Sequence, residues 1–280
     1  MDAMNLNSYE KLKTARKNGR PTGGAYIREI IDYPLEFHGD RRFSDDLAIM
    51  AGVGFLGEYP VTFIAMEKGT DLQSRMIRNF GCPKPEGYRK ALRLMKQAEK
   101  FHRPVICFVD TLGAYPGADA EERGQGQAIA ESIMEMMGLQ TPVISVIIGE
   151  GGSGGALALA SANKVMILEN AVYSVISPEG CASILWKEST PENVAKAADA
   201  LHITAQDMKN LGIAETVIAE DFDNFSGMCE NLKKKLIESV EEFADLSEQD
   251  ILEQRYRRFR KFGVYNEEKK GFFKKNNKKS

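Results

Sequence analysis

The 280-residue chain is 43% hydrophobic and 28% charged, the balance of a soluble globular protein with a substantial core. A net charge of −3 gives no global attraction to nucleic acid or anionic lipid, and no apolar run reaches the roughly 18 residues of a membrane helix. The four cysteines, Cys82, Cys107, Cys181 and Cys229, form no CxxC pair; this argues against a metal site or disulfide framework and for reduced, buried thiols in a cytoplasmic protein.

Residues 1–21 are polar and helical in pattern, without the apolar core of a signal peptide. Three later segments echo one another: YPVTFIAMEKG from Tyr59, RPVICFVDTLG from Arg103 and TPVISVIIGEGG from Thr141. Each reads as a strand opened by Pro60, Pro104 or Pro142, a position where the missing N–H is tolerated. Between them, KPEGYRKALRLMKQAEKF has the spacing of one helix face. DAEERGQGQAIAESIMEMMG predicts a single helix, acidic at its start and closed by Gly138. Wholly apolar strands alternating with helices imply a sheet covered on both faces.

KVMILE reads as a further strand. Ser177-Pro178-Glu179 and Thr190-Pro191-Glu192 carry the signature of helix starts. TAQDMKNLG predicts a helix from Thr204 that stops at Gly212, IAETVIAE a strand, and the remainder one or two amphipathic helices. No Pro/Ser-rich linker interrupts the chain. The expected division is an N-terminal helical arm (1–35), a central domain (36–225), and C-terminal helices with a basic tail (226–280). The tail's KKGFFKKNNKKS holds six lysines and reads as a solvated end or as a polyanion-binding segment.

GEGGSGGALALA, from Gly149, raises the functional question. A phosphate-binding P-loop requires a lysine after the last glycine, and none follows Gly155. GxGxxG matches a dinucleotide fingerprint literally, with Glu169 ending the next strand. The helix available is short, however, and the unit is the third copy of a repeat. These features weigh against that reading, and two others compete with it: glycines that let helix and sheet touch, or an oxyanion hole of main-chain N–H groups at a helix start. The preceding repeat, DTLGAYPGADAEERGQGQ, offers a second loop. If the units lie side by side, N–H groups near Gly113-Ala114 and Gly154-Gly155 converge on one oxygen. His38, His102 and His202 are isolated, and His38 reads as a structural hydrogen bonder. No GxSxG, HExxH or Cys–His pattern is present.

FHGDRRFSDD, RNFGCPKPEGYRKALRLMKQAEKF, DTLGAYPGADAEERGQGQAIA, GEGGSGGALALA and YSVISPEGCASILWK together resemble the α subunit of bacterial acetyl-CoA carboxylase carboxyltransferase, from about Tyr9 to Ile218. The resemblance implies an α/β crotonase-like (ClpP) superhelix of repeated ββα units with helical arms at both ends. It also implies transfer of a carboxyl group from biotin, borne by the biotin carboxyl carrier protein, to acetyl-CoA, giving malonyl-CoA for fatty acid biosynthesis. A β subunit carrying the zinc would complete an α2β2 assembly, with biotin carboxylase as the ATP-using partner. By the same resemblance, Gly154, Gly155, Gly113 and Ala114 form the catalytic amides, and Gly155→Val is expected to remove turnover while sparing assembly. Arg75, Arg78, Lys84, Tyr115, Arg123 and Ala156 would bind substrate, although Arg123 reads equally as an ion pair with Glu121 or Glu122. The chain departs from the family after GIAETVI, where a Glu-Pro and Gly-Gly-Ala-His stretch is replaced by AEDFDNFSGMCENLKKK. The alternatives are another crotonase-fold acyl-CoA enzyme, whether a carboxyltransferase or decarboxylase subunit or a hydratase with Glu150 or Glu179 as its placed carboxylate, and a non-catalytic scaffold.

Overall fold

The computed structural model describes residues 7–263; the lysine-rich stretch and both of its readings lie outside the described residues. Helix α1 (Ser8–Ala15) starts at Asn7, whose side chain accepts from the Glu10 N–H at 2.9 Å. Helix α2 (Gly23–Ile30) buries Tyr26, Ile27 and Ile30 completely. An antiparallel meander follows: β1 (Asp32–Glu36), β2 (Ile49–Leu56) and β3 (Tyr59–Met66). β1 is irregular, with Tyr33 at φ 51, Pro34 beside it and a register shift between Asp32 and Leu35.

The three echoing segments become β3, β4 (Val105–Thr111) and β5 (Val143–Gly152), adjacent and parallel. With β6 (Lys164–Leu168) and β8 (Thr216–Ile218) they continue one sheet in the order β1-β2-β3-β4-β5-β6-β8. Pro104 and Pro142 immediately precede their strands and still lend carbonyls to the neighbour. Thr62 N–H donates to Pro104 O at 2.9 Å, and Val105 N–H donates to Pro142 O at 2.8 Å. β5 pairs with β6 through Ile144–Ile147 and with the short β7 (Val172–Ser174) through Glu150–Gly152, so it serves two rows of strands.

Helices α3 (Leu72–Ile77) and α4 (Pro85–Lys100) connect β3 to β4. The single helix expected from Asp119 to Gly138 is instead two, α5 (Ala118–Glu122) and α6 (Gln125–Met137). Gly124 sits between them at φ 83, ψ 51, a left-handed conformation that ends one helix and starts the next. The acidic first turn is real, but it belongs to α5. Helix α7 (Ser153–Leu157) follows β5 directly.

The helix starts read from sequence hold at α8 (Pro178–Trp186), α9 (Pro191–Ala200) and α10 (Ala205–Asn210). Ser177, Thr190 and Thr204 each accept the backbone N–H three residues on. Two C-terminal helices complete the fold, α11 (Phe225–Ala244) and α12 (Glu248–Arg260). Residues of α2, α4 and α11 share one core with β2–β6, so all three segments of the expected division meet in it. A smaller core joins α1, α8 and α9 through Leu12, Ala182, Val194 and Ala197.

The N-terminal ends of β5 and β6 are tied to α12 by Arg255, which is 0% exposed. It donates to Leu139 O at 2.6 Å, Thr141 O at 2.9 Å and Asn163 Oδ1 from Nε at 3.1 Å. Among the described residues no carboxylate lies within ion-pair reach of it, and burial pushes the guanidinium pKa down to about 10.

Candidate functional site

The loops after β4 and β5 meet at the C-terminal ends of the parallel strands, where ligands of open α/β sheets bind. After β4 the chain makes a tight turn: Gly113 N–H donates to Thr111 Oγ1 at 3.0 Å, and that hydroxyl donates to Gly113 O at 2.7 Å. Gly113 takes φ 151, a conformation side chains rarely adopt. After β5 the strand passes straight into α7 through Ser153, at φ 56. Such a left-handed residue costs about 1–2 kcal/mol. No side chain caps the start of α7, and helix geometry offers its first amides no intrahelical acceptor.

Contacts between the loops sort the glycines. A Cβ on Gly152 would strike the Leu112 carbonyl, and one on Gly155 would lie 2.7 Å from both Ala114 N and Tyr88 Oη. These two pack the seam. Gly154 is different: its Cβ would meet only Ile129 Cγ2, at 3.4 Å, and the residue is half-buried against an apolar cavity of about 460 Å³. Gly152 and Gly155 therefore fit the packing reading, while Gly154 stays open on the cavity. Among the described residues the Ala114 N–H has no acceptor. The expectation for Gly155→Val is corrected, because valine would press on the Gly113-Ala114 backbone and disturb packing before chemistry. The Ala156 methyl is fully buried in the core, which leaves only its main chain for a role at the seam.

The charged candidates fall into two groups. Lys84 Nζ sits 3.3 Å from Asp119 Oδ2 and 4.8 Å above the Tyr115 ring. Arg123 donates to Glu86 at 2.8 Å and to Asp119 at 3.2 Å, so neither Glu121 nor Glu122 is its partner. Lys84, Tyr115 and Arg123 thus form one cluster around Asp119. Arg75 bonds Asn18 Oδ1 and Gly69 O instead, and Arg78 bonds Ser74 O; neither hydrogen-bonds that cluster.

The candidate carboxylates are engaged. Arg16 reaches Glu150 at 2.6 Å and Glu179 at 2.5 Å. Either side chain a hydratase would require is thereby paired with one cation, Arg16. His38 bonds Asp45 Oδ2 at 3.0 Å, in the structural role read from sequence. All four cysteines are free thiols, and burial pushes Cys107 up to about 12.

Two residues escaped the sequence reading. Tyr88 was legible only as one position on an apolar helix face. Its side chain is fully buried, its hydroxyl has no partner and faces Gly155, and burial holds it protonated. Ser153 gave no signal, since the strain comes from the strand-to-helix turn itself.

Residues 3–263 match the family described as acetyl co-enzyme A carboxylase carboxyltransferase-like. The acetyl-coenzyme A carboxylase carboxyl transferase subunit alpha of Ruminiclostridium cellulolyticum is 53% identical over 259 residues, 92% of this chain and 99% of the relative. A Clostridium tetani protein named for subunits beta/alpha is 50% identical over 93% of this chain and 46% of its own length. Among solved structures, transcarboxylase 12S superposes with a TM-score of 0.67 at 18% identity, covering 82% of this chain and 42% of that one. A Pseudomonas malonate decarboxylase hetero-tetramer in complex with coenzyme A gives 0.64 at 16%, covering 84% and 92%. These likenesses show the crotonase-like carboxyltransferase fold. The chain belongs to the acetyl co-enzyme A carboxylase carboxyltransferase family, as a relative of its α subunits.

Proposed function

We propose that this chain is the α half of a two-subunit carboxyltransferase that moves a carboxyl group from biotin to acetyl-CoA, giving malonyl-CoA. The observation that carries the reading is the seam itself: main-chain amides at Ala114 and Gly154 that have no acceptor among the described residues, beside carboxylates already engaged by Arg16. Carboxyl transfer through such a site needs no protein base. Carboxybiotin supplies carbon dioxide together with a ureido nitrogen basic enough to take the methyl proton.

The task left to the chain is to stabilise oxygen anions. The Gly113-Ala114 and Gly154-Gly155 amides would do so, each donor contributing about 3 kcal/mol to the transition state. The seam suits a ureido or thioester oxygen because the Gly113-Ala114 and Gly154-Gly155 stretches present main chain with little side-chain cover, and its donors are fixed by packing before substrate arrives. Lys84 and Tyr115, clustered beside the Gly113 loop, would hold the entering substrate.

A β subunit completes the proposal, with the zinc placed in that partner and an α2β2 assembly expected. Its support is the relative named for both subunits and the exposed apolar side chains on two flanks of the seam. Met76, Phe80 and Leu112 lie on one, and Val175, Leu185 and Trp186 on the other. The biotin carboxyl carrier protein and biotin carboxylase would supply the carboxylated donor. A cytoplasmic setting suits the free thiols, and no helix among the described residues is long and apolar enough to cross a membrane.

The test is to mix this chain with a family β subunit, acetyl-CoA and carboxybiotin, and to assay malonyl-CoA. Product is expected only with both subunits present. Product from this chain alone, or none with β added, overturns the reading.

A further inference from the structure

A second cavity, of about 210 Å³, opens where the ends of β3, β4 and β5 meet the α1–α2 connection. Five cationic side chains border it against two carboxylates, Asp110 and Glu150. Both acids are already engaged. Asp110 holds Lys68 Nζ at 2.5 Å and the Glu150 N–H at 2.8 Å, while Glu150 holds Arg16. Arg20 turns away to Glu220 at 2.7 Å and Ile148 O at 3.0 Å.

Lys17 and Arg75 remain. Among the described residues neither has a carboxylate within 4.0 Å. Arg75 is oriented all the same: Nη1 donates to Asn18 Oδ1 at 3.0 Å and Nε to Gly69 O at 3.3 Å. Those partners are neutral, so they fix the guanidinium without cancelling its charge, and part of its donor fork stays unused. The exposed Phe80 and Leu112 form an apolar rim, and Leu112 leads directly into Gly113.

We propose that this cavity is a subsite for an oxyanion headgroup, a carboxylate or phosphate gripped by Arg75 and Lys17. The chemistry follows from the parts: a pre-oriented guanidinium for two oxygens, a mobile ammonium for net charge, and walls whose own charges are already balanced. The apolar rim suits a headgroup carried on a flat or aliphatic body. The proposal deepens the carboxyltransferase reading, which presents two sources of such a group: a phosphate of coenzyme A, or the carboxylate of a malonyl group.

The test uses the assembled α–β complex and calorimetric titration with coenzyme A, 3′-dephospho-coenzyme A and malonate. The Lys17→Gln/Arg75→Gln variant is compared with the unmodified complex. At least a 10-fold loss of coenzyme A affinity with dephospho-coenzyme A unaffected assigns the 3′-phosphate, and equal losses for both assign the diphosphate. A 10-fold loss confined to malonate assigns the carboxylate. Lys17→Glu alone, at an exposed position without a resting bond, should reproduce the direction of the effect if the double variant folds poorly. Affinities all unchanged within 2-fold overturn the subsite, even where the same complex still makes malonyl-CoA. Loss of malonyl-CoA synthesis by the unmodified complex would instead strike the parent reading.

Discussion

The two ends of β4 and β5 are built in opposite ways. At the N-terminal ends the backbone is closed: Pro104 and Pro142 offer carbonyls that neighbours use, and Arg255 satisfies Leu139 O, Thr141 O and Asn163 Oδ1 without a counter-charge. At the C-terminal ends polar groups are left waiting. Among the described residues the Ala114 amide and the Tyr88 hydroxyl have no partner, and Ser153 holds a left-handed backbone. Stability is concentrated at one end of the same strands so that the other tolerates strain and unmet hydrogen bonds, the pattern expected at a functional site.

Four measurements would break or sharpen this contrast. The largest effect is expected from Arg255→Ala, which strands the buried Leu139 and Thr141 carbonyls and leaves Asn163 Oδ1 with only the Val143 N–H. It should cost about 3–5 kcal/mol in urea denaturation, while activity per folded molecule is unchanged. A cost below about 1 kcal/mol would mean that the closed end is not where the stability lies.

At the open end, Gly154→Val should lower turnover about 100-fold, or about 2.7 kcal/mol of transition-state stabilisation. Because only Ile129 lies near the new side chain, the melting temperature should move little. Full activity in this variant would remove Gly154 from the chemistry. Tyr88→Phe deletes an unpartnered buried hydroxyl and should leave the protein as stable or raise stability by about 1 kcal/mol; a clear drop on thermal melting would show the hydroxyl bonded in solution.

The smallest effect lies away from both ends. Burial opposes ionisation of Asp45, but Lys90, the Gly39 N–H and His38 outweigh it and bring its pKa down to about 2. A carboxyl depressed in the folded state stabilises above its ordinary pKa near 4, and that stability is lost as pH falls toward 2. Urea midpoints between pH 5 and 2 should therefore fall less steeply in Asp45→Asn than in the unmodified chain.

Much of the architecture was legible in sequence because its determinants are local. A proline followed by an apolar run announces a strand, and Ser177, Thr190 and Thr204 cap helices through their own following residues. The meeting of the two glycine loops was legible too, since repeated units stack. Other features were not, because they depend on partners far along the chain. Arg16 pairs with Glu150 and Glu179 across 134 and 163 residues, and Arg123 finds the distant Glu86 rather than Glu121 or Glu122. Arg255 stands in RYRRFR, which reads as a solvated helix face until the fold places that position over β5. Which glycine packs and which stays open is likewise decided by the opposing loop, and Gly124 breaks a helix that local propensity alone would continue.

The sheet ends in two unpaired borders, and each discourages templating by another molecule. Along β1, Pro34 lacks a donor and Tyr33 kinks the backbone, so an incoming strand meets an interrupted ladder. At the far border β8 runs for only three residues, Thr216–Ile218, too short to seed a stable ribbon. Neither border therefore offers a long, regular ladder on which a strand from another molecule could pair.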